Sequence, residues 1–175
     1  MSSKNLSFEQ QRFHQFCMND ELDSAKEMLA TGAVLDGLAL GLAGGFPQTH
    51  QVFDWLLENN CEVNGDTWLY IVGNENSIFL TKKIAEKGHD LHGAAIFAAL
   101  EPNQTLLQYV TERVGWKSEY LTFIAQGTGN KSEQTELFKW GVETSGIVPD
   151  KNTVEAAEKH GNVEIIQYIS NSNHF

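Results

Sequence analysis

Basic residues are scarce in this sequence of 175 residues. Twelve Lys and Arg stand against 23 Asp and Glu, which gives a formal net charge of -11 at pH 7. Nucleic-acid backbones and anionic membranes attract basic surfaces, so we expect the chain to bind neither. An acidic surface suits a basic protein partner, although acidity also serves solubility alone.

Cysteine and long apolar runs are scarce as well. Cys17 and Cys61 are the only cysteines, and no C-x-x-C or His/Cys cluster accompanies them, so no zinc site is indicated. No run approaches the roughly 20 apolar residues that span a bilayer, and "MSSKNLSFEQQ" lacks the apolar core of a secretory signal. Together these absences favour a reduced, cytoplasmic protein.

A polar-Gly pair recurs every 28 residues, at Asp36-Gly37, Asn64-Gly65 and His92-Gly93. Each pair follows a similar segment: "MLATGAVLD", "LLENNCEVN" and "IAEKGHDLH". The fifth residue of each segment is Gly or Asn, which favours the left-handed backbone that ends a helix. The predicted ends are Gly32, Asn60 and Gly88, and the matching helix starts, twelve residues earlier, are Asp20, Gln48 and Asn76.

Apolar residues follow a helical period between these starts and ends. The clearest stripes are Leu22, Ala25, Met28 and Leu29, then Val52, Phe53, Leu56 and Leu57, and finally Val163, Ile165, Ile166 and Ile169. A shorter apolar segment precedes each stripe, so the unit is helix, turn, helix and loop. About six copies fill residues 1–175, and Gly141 is the predicted end of the fifth. The period predicts a single all-α domain, a solenoid of stacked units.

The segment "AEKHGNVEIIQYI" (157–169) resembles the second half of an ankyrin repeat, and "GAVLDG" and "KGHDLHG" are similar to its ending. The chain therefore resembles a divergent ankyrin-repeat protein. The ankyrin T-P-L-H tetrad is mostly lost, as in Thr67-Trp68-Leu69-Tyr70, which predicts irregular helix starts. Because the repeats are about 28 residues long rather than about 33, we expect the β-hairpin fingers to be reduced to loops.

The repeat frame also bears on the two thiols. Cys17 falls at the end of a first helix, and Cys61 follows the end of a second helix in the next unit. The frame does not bring these positions together. We therefore expect both cysteines to be buried and unbonded.

Catalytic chemistry has no clear signature here. His89 and His92 are the closest pair of histidines, and both fall in an inter-unit loop where polar residues are expected. The glycine-rich "GLALGLAGG" lacks the Lys-Ser/Thr of a phosphate-binding loop. No nucleophile and base are fixed together, so we expect no enzyme, no metal and no cofactor.

The resemblance implies a module that binds a partner protein through its concave face and its loop edge. Trp68 and Trp116 have two interpretations, either as exposed anchors or as fillers of the gaps left by missing fingers. The predicted partner-binding residues are Asp36, Asn64, Asp66, Trp68, Asn74, Glu75 and His92.

Two alternatives stay open. One is an acidic inhibitor or immunity-type protein that blocks a nuclease or a toxin. The other is a small-ligand binder or an enzyme on a repeat scaffold. The polar residues at both ends predict a monomer rather than a filament.

Overall fold

A computed structural model describes residues 6–46, 49–127 and 129–172. These residues form twelve α-helices and no β-strand, which confirms the all-α prediction. The predicted helix start at Gln48 lies outside the described residues.

The contacts divide the chain into two compact units, Met1–Asp90 and Leu91–Phe175. The helices of the first unit are α1 (Phe8–Met18), α2 (Leu22–Ala30), α3 (Gly37–Gly45), α4 (Gln51–Glu58), α5 (Gly65–Ile71) and α6 (Ser77–Glu86). Those of the second are α7 (His92–Leu100), α8 (Gln104–Val114), α9 (Ser118–Gln126), α10 (Lys131–Ser145), α11 (Lys151–Lys159) and α12 (Val163–Asn171). The prediction of a single domain over residues 1–175 stays a prediction.

Both units are built from helix pairs in which the odd-numbered helices, here called the first helices, pack side by side. In the first unit α3 packs against α1 and α5, and its own partner is α4. In the second unit α9 packs against α7 and α11, and its partner is α10. The core of each unit lies between the two rows of helices. Its largest members are Phe13, Leu40, Phe53 and Trp68 in the first unit and Leu107, Tyr120 and Phe138 in the second.

Left-handed residues end the helices where the sequence predicted them. The φ angles are +115° at Gly32, +56° at Asn60 and +81° at Gly88, which confirms these three positions. The prediction for Gly141 is wrong, because α10 continues to Ser145 and ends at Gly146, whose φ is +66°. Gly141 is instead a packing residue. A Cβ atom there would lie 3.2 Å from the Trp116 ring.

The helix starts are better defined than the lost tetrad predicted. The Asp36 carboxylate accepts a hydrogen bond from the Ala39 amide at the start of α3 (2.8 Å). Asn64 and Thr67 form a reciprocal capping box at the start of α5. The prediction of irregular starts is therefore wrong for α3 and α5. Asp36 caps α3, and at α5 the threonine of the tetrad position, Thr67, shares the cap with Asn64.

The start of α4 is capped by a residue from the preceding helix pair. Asp20 lies in the turn between α1 and α2 with a φ of +59°. Its carboxylate accepts hydrogen bonds from the amides of Gln51 (3.2 Å) and Val52 (2.8 Å). This side chain therefore satisfies two amides that an isolated α4 would leave unpaired.

Glycines bring α3 and α5 into direct backbone contact. A Cβ atom at Gly41 would lie 2.7 Å from the Asp66 carbonyl oxygen, and one at Gly45 would lie 2.7 Å from the Tyr70 carbonyl oxygen. No larger residue fits at either position without moving the neighbouring backbone.

Cys17 and Cys61 are both buried and unbonded, as predicted. Burial, reinforced by the Asp36 carboxylate, raises the pKa of the Cys61 thiol to about 12. Burial also raises the pKa of Cys17, and the next contributions come from Asp36 and then from Cys61 itself.

Candidate functional site

The predicted partner-binding residues of the first unit lie at helix starts and turns. Several of their side chains form hydrogen bonds within the unit. Asp36 is half-buried and accepts a hydrogen bond from the Gln10 amide nitrogen (3.0 Å). Its carboxylate also lies 3.0 Å from the His14 ring nitrogen Nε2. Asp36 therefore ties α1 to α3 in addition to capping α3.

Asn64 has a similar structural role between α3 and α5. Its side-chain oxygen accepts a hydrogen bond from the Asp66 amide (3.0 Å). The side-chain amide of Asn64 lies over Gly37, where an added Cβ atom would be 2.2 Å from the Asn64 oxygen. The hydroxyl of Thr67 donates to the Gly37 carbonyl oxygen (2.9 Å). The polar-Gly pairs at 36–37 and 64–65 are therefore positions where neighbouring first helices contact each other.

Trp68 is buried, with only 2% of its surface exposed. The interpretation of Trp68 as an exposed anchor is wrong. The reason is its position on α5, where it shares a buried stripe with Thr67, Ile71 and the adjoining Val72. Its neighbour Leu69 lies on the opposite side of the helix and is 57% exposed.

The remaining predicted residues have different environments. The Asn74 side chain is hydrogen-bonded within the unit. Its side-chain nitrogen donates to the Gly45 carbonyl oxygen (2.8 Å), and its side-chain oxygen accepts from the Asn76 backbone amide (2.7 Å). Asp66 and Glu75 are exposed and stand near opposite ends of α5. These two carboxylates are the predicted residues of the first unit that remain well placed to meet a partner.

His92 belongs to the second unit and begins α7. Its ring nitrogen Nδ1 lies 2.8 Å from the hydroxyl of Tyr120, and Nε2 lies 3.4 Å from the Glu119 carboxylate. The Lys117 ammonium is 3.3 Å from Nδ1. Tyr120 is completely buried, so this cluster joins the starts of α7 and α9 much as Asp36 joins α1 to α3.

A partly exposed apolar strip runs along α3, whose main helix contacts are with α1, α4 and α5. We call it the open face and define it by Leu38, Leu42, Phe46 and Tyr70. Leu38, Leu42 and Phe46 are four residues apart, so they share one side of the helix. Phe46 is 56% exposed, Leu38 and Leu42 are half-buried, and the rings of Phe46 and Tyr70 are 5.7 Å apart.

The sequence carries a signal for this strip. The segment "GLALGLAGG" is apolar on every side, which is typical of a helix surrounded by other structure. The side of α3 that carries Leu38, Leu42 and Phe46 is nevertheless partly exposed. An all-apolar helix at this place in a repeat therefore predicts an apolar surface.

Carboxylates surround the open face. Asp66 and Glu62 are exposed beside the start of α5, and Glu75 is exposed in the turn that follows it. Arg12 is the only basic residue of α1, α3 and α5, all of which are described in full, and it lies 4.9 Å from the Phe16 ring. The helical lysines of this unit lie on the other row, on α2 and α6: Lys26, Lys82 and Lys83. Basic residues are therefore scarce along the first helices, whereas α2, α4 and α6 together carry charges of both signs.

The second unit carries a polar groove in the corresponding place. Between α9 and α11 the structure has a cavity of about 280 Å³. Its lining includes Thr122, Gln126, Asn152, Glu155, Lys159 and His160. The hydroxyls of Thr122 and Thr153 are 2.9 Å apart, which joins the two helices.

Within residues 6–46, 49–127 and 129–172, no group of three or more His, Cys, Asp or Glu is arranged to hold a metal ion. No helix there has both the length and the apolar character needed to cross a bilayer.

Comparison with known proteins gives no match to a protein family, to a curated protein or to a solved structure. The likeness to ankyrin repeats therefore depends on the quoted sequence segments. Function has to be inferred from the geometry and the charges described above.

Proposed function

We propose that this chain is a divergent ankyrin-like repeat protein that binds a partner protein through the open face of its first unit. The observation that carries the proposal is the row of Leu38, Leu42 and Phe46 on α3, extended by Tyr70. Single exposed apolar residues are common on protein surfaces, but a contiguous apolar strip with a polar rim is typical of an interaction site. Asp66 and Glu75 supply the acidic rim and favour a basic partner.

The proposed surface lies on a first helix, whereas the sequence predicts binding by both the concave face and the loop edge. Asp36, Asn64 and Asn74 position the helices, and Asp66 and Glu75 remain as rim contacts. An inhibitor or immunity-type protein is one form of this function, since an acidic surface suits the basic cleft of a nuclease or a toxin. A monomeric chain in the cytoplasm is part of the same proposal.

The proposed function is tested by comparing the proteins that the wild type and its variants capture from a lysate of the native cell. The wild type, a Leu42→Ser/Phe46→Ser variant and a Phe79→Ser control are immobilised, and the captured proteins are quantified by mass spectrometry. Phe79 is a suitable control because it is 48% exposed on α6, in the other row of helices. We expect a protein that the wild type and the control retain and the open-face variant loses.

Circular dichroism and melting temperature establish that all three proteins are folded before capture. Equal retention by the wild type and the folded open-face variant contradicts the assignment of the open face. Analytical sedimentation tests whether the protein is a monomer, and cell fractionation tests whether it is in the cytoplasm.

A second candidate function is the binding of a small polar ligand or substrate in the groove between α9 and α11. The cavity of about 280 Å³ and its mixed lining of amides, Glu155, Lys159 and His160 favour this candidate. A thermal-shift screen against nucleotides, sugars and amino acids tests it. A hit that Lys159→Ala abolishes supports the groove, and a screen without hits argues against it.

A further inference from the structure

We infer that the partner presents a basic amphipathic helix, which lies along α3 with its apolar side on the open face and Lys or Arg on its flanks. This inference rests on the proposed function and specifies the chemistry of the partner. It follows from three features of the first unit: the spacing of the strip, the absence of a sheet edge and the distribution of charge.

The spacing of the strip matches a helix. Leu38, Leu42 and Phe46 rise along α3 in steps of about 6 Å, so the strip is about 12 Å long. A second helix presents apolar residues at the same rise when they stand four or three residues apart. Two to three turns of a partner helix are enough to cover the strip.

A partner that binds by adding a β-strand finds no sheet edge among the described residues. A peptide that binds as a strand needs an exposed sheet edge, and residues 6–46, 49–127 and 129–172 form no β-strand. An apolar strip between helices is instead the usual receptor for an amphipathic helix.

The strip has a defined end. The Tyr70 side chain starts beside Gly45, where an added Cβ atom would be 2.9 Å from Tyr70 Cβ. Its ring meets the Phe46 ring at 5.7 Å between centroids. These two rings form an aromatic wall at the carboxyl end of α3, against which a large apolar residue of the partner can pack.

The charges select a basic occupant. Residues 1–90 contain thirteen Asp and Glu against six Lys and Arg. Glu62 and Asp66 are exposed beside the start of α5 and Glu75 is exposed after its end, whereas Arg12 is the only basic residue of α1, α3 and α5. Asn74 bonds to the Gly45 carbonyl oxygen, which brings the turn with Glu75 to the carboxyl end of α3. Lys or Arg at both ends of a partner helix would face these carboxylates.

The same charges disfavour a second copy of this chain as the occupant. Face-to-face association would bring Asp66 and Glu75 of one copy towards the equivalent carboxylates of the other. Like charges in an interface reduce affinity and select against that partner.

Three synthetic peptides test the inference with the full-length chain. The first is a helix-forming peptide of Leu and Lys, the second has Glu in place of every Lys, and the third is the Leu/Lys peptide with two central prolines that prevent a helix. Fluorescence anisotropy measures their affinities for the wild type, Leu42→Ser/Phe46→Ser, Asp66→Lys/Glu75→Lys and the control Phe79→Ser.

We expect the wild type to bind the Leu/Lys peptide at least ten times more tightly than either other peptide. The open-face variant should lose at least ten-fold in affinity, and Phe79→Ser less than two-fold. The Asp66→Lys/Glu75→Lys variant should lose most of its preference for Lys over Glu.

Several results would overturn the inference. Equal binding of the Glu peptide excludes the charge assignment, and equal binding of the proline peptide excludes the helix. An equal loss in the open-face variant and in Phe79→Ser excludes the site. A wild type that sediments as a dimer, with a monomeric open-face variant, assigns the face to a second copy.

Failure of this inference is distinguishable from failure of the proposed function. If capture from cells depends on Leu42 and Phe46 but none of the peptides binds, the partner is a protein of another shape and only the helix inference fails. If neither capture nor peptide binding depends on these residues, both fail.

Discussion

Adjacent residues in this protein can have opposite environments, and Trp68 and Leu69 are the clearest pair. Trp68 is 2% exposed within the buried stripe of α5, whereas Leu69 is 57% exposed. We expect Trp68→Ala to lower the free energy of unfolding by about 3–5 kcal/mol, because a large buried ring leaves a cavity. Leu69→Ala is the matched control and should change it by no more than about 0.5 kcal/mol. Urea titrations of both variants measure the difference, and a mild effect of Trp68→Ala would show that its burial matters little.

The buried thiols predict a loss of stability in mild alkali. An unfolded cysteine has a pKa of about 8.5. Burial and the Asp36 carboxylate raise the pKa of Cys61 to about 12 in the folded state, and Cys17 is raised in the same direction. Below about pH 8.5 both states are protonated and stability is complete. Above it the unfolded state loses its protons first, so the free energy of unfolding falls until the folded thiols ionise too.

The expected fall is about 1.4 kcal/mol per pH unit for each thiol. Urea titrations between pH 8 and pH 9.5 measure it, below the range in which most Tyr and Lys residues titrate. A Cys17→Ala/Cys61→Ala variant serves as the control and should show a much flatter profile. Identical profiles for the wild type and the variant would contradict the burial of the thiols.

At the scale of elements, the contact between α3 and α5 includes a close approach of Gly37 to the Asn64 side-chain amide. The Asn64 side chain occupies the place that a Cβ atom at Gly37 would take, 2.2 Å from its oxygen. Gly37→Ala should therefore destabilise the protein by about 1–3 kcal/mol, as overpacking does. In an Asn64→Ala background the conflict disappears, and Gly37→Ala should cost little.

A double-mutant cycle measures this coupling, which we expect to be at least about 1 kcal/mol. Gly73→Ala is the control, because a Cβ atom there has no heavy atom within 4 Å. It should change stability by less than about 1 kcal/mol. Additive effects of Gly37→Ala and Asn64→Ala would mean that the two helices separate to relieve the conflict.

The ends of the helices were predictable from the sequence because their cause is local. A left-handed backbone at residues 32, 60 and 88 favours Gly or Asn, and that preference is visible in the chain itself. Gly141 was misread for the same reason, since a glycine that packs against Trp116 looks identical in sequence to one that ends a helix.

The candidate site was less predictable, because exposure depends on neighbours that are distant in sequence. The period of the helix pairs placed Trp68 near a helix start, but the stripe shared with Ile71 decides that it is buried. Similarly, Leu42 and Leu40 stand in one apolar segment, and only the positions of α1, α4 and α5 decide which of them is exposed. Asp66 and Glu75 are exposed, and their exposure is predictable from their polarity.

At the scale of the whole molecule, the dominant property is the excess of carboxylates that gives a net charge of -11. Repulsion among these groups opposes the compact state, and dissolved salt screens it. We therefore expect the free energy of unfolding to rise when potassium fluoride is increased from about 10 mM to about 150 mM, over which the Debye length falls from about 30 Å to about 8 Å. Urea titrations at the two salt concentrations test this. A decrease would show that ion pairs such as Asp54–Lys83 outweigh the repulsion.

The cap that Asp20 provides for α4 has a consequence for the order of events during folding. Its two acceptor contacts reach amides 31 and 32 residues further along the chain. An isolated helix of eight residues is marginal in water, because its first turn is costly to nucleate. We therefore expect the first turn of α4 to form after the turn between α1 and α2 has positioned the Asp20 carboxylate. In that order, folding of the first unit would advance from its amino-terminal pair towards α4, which is the direction in which a ribosome delivers the chain.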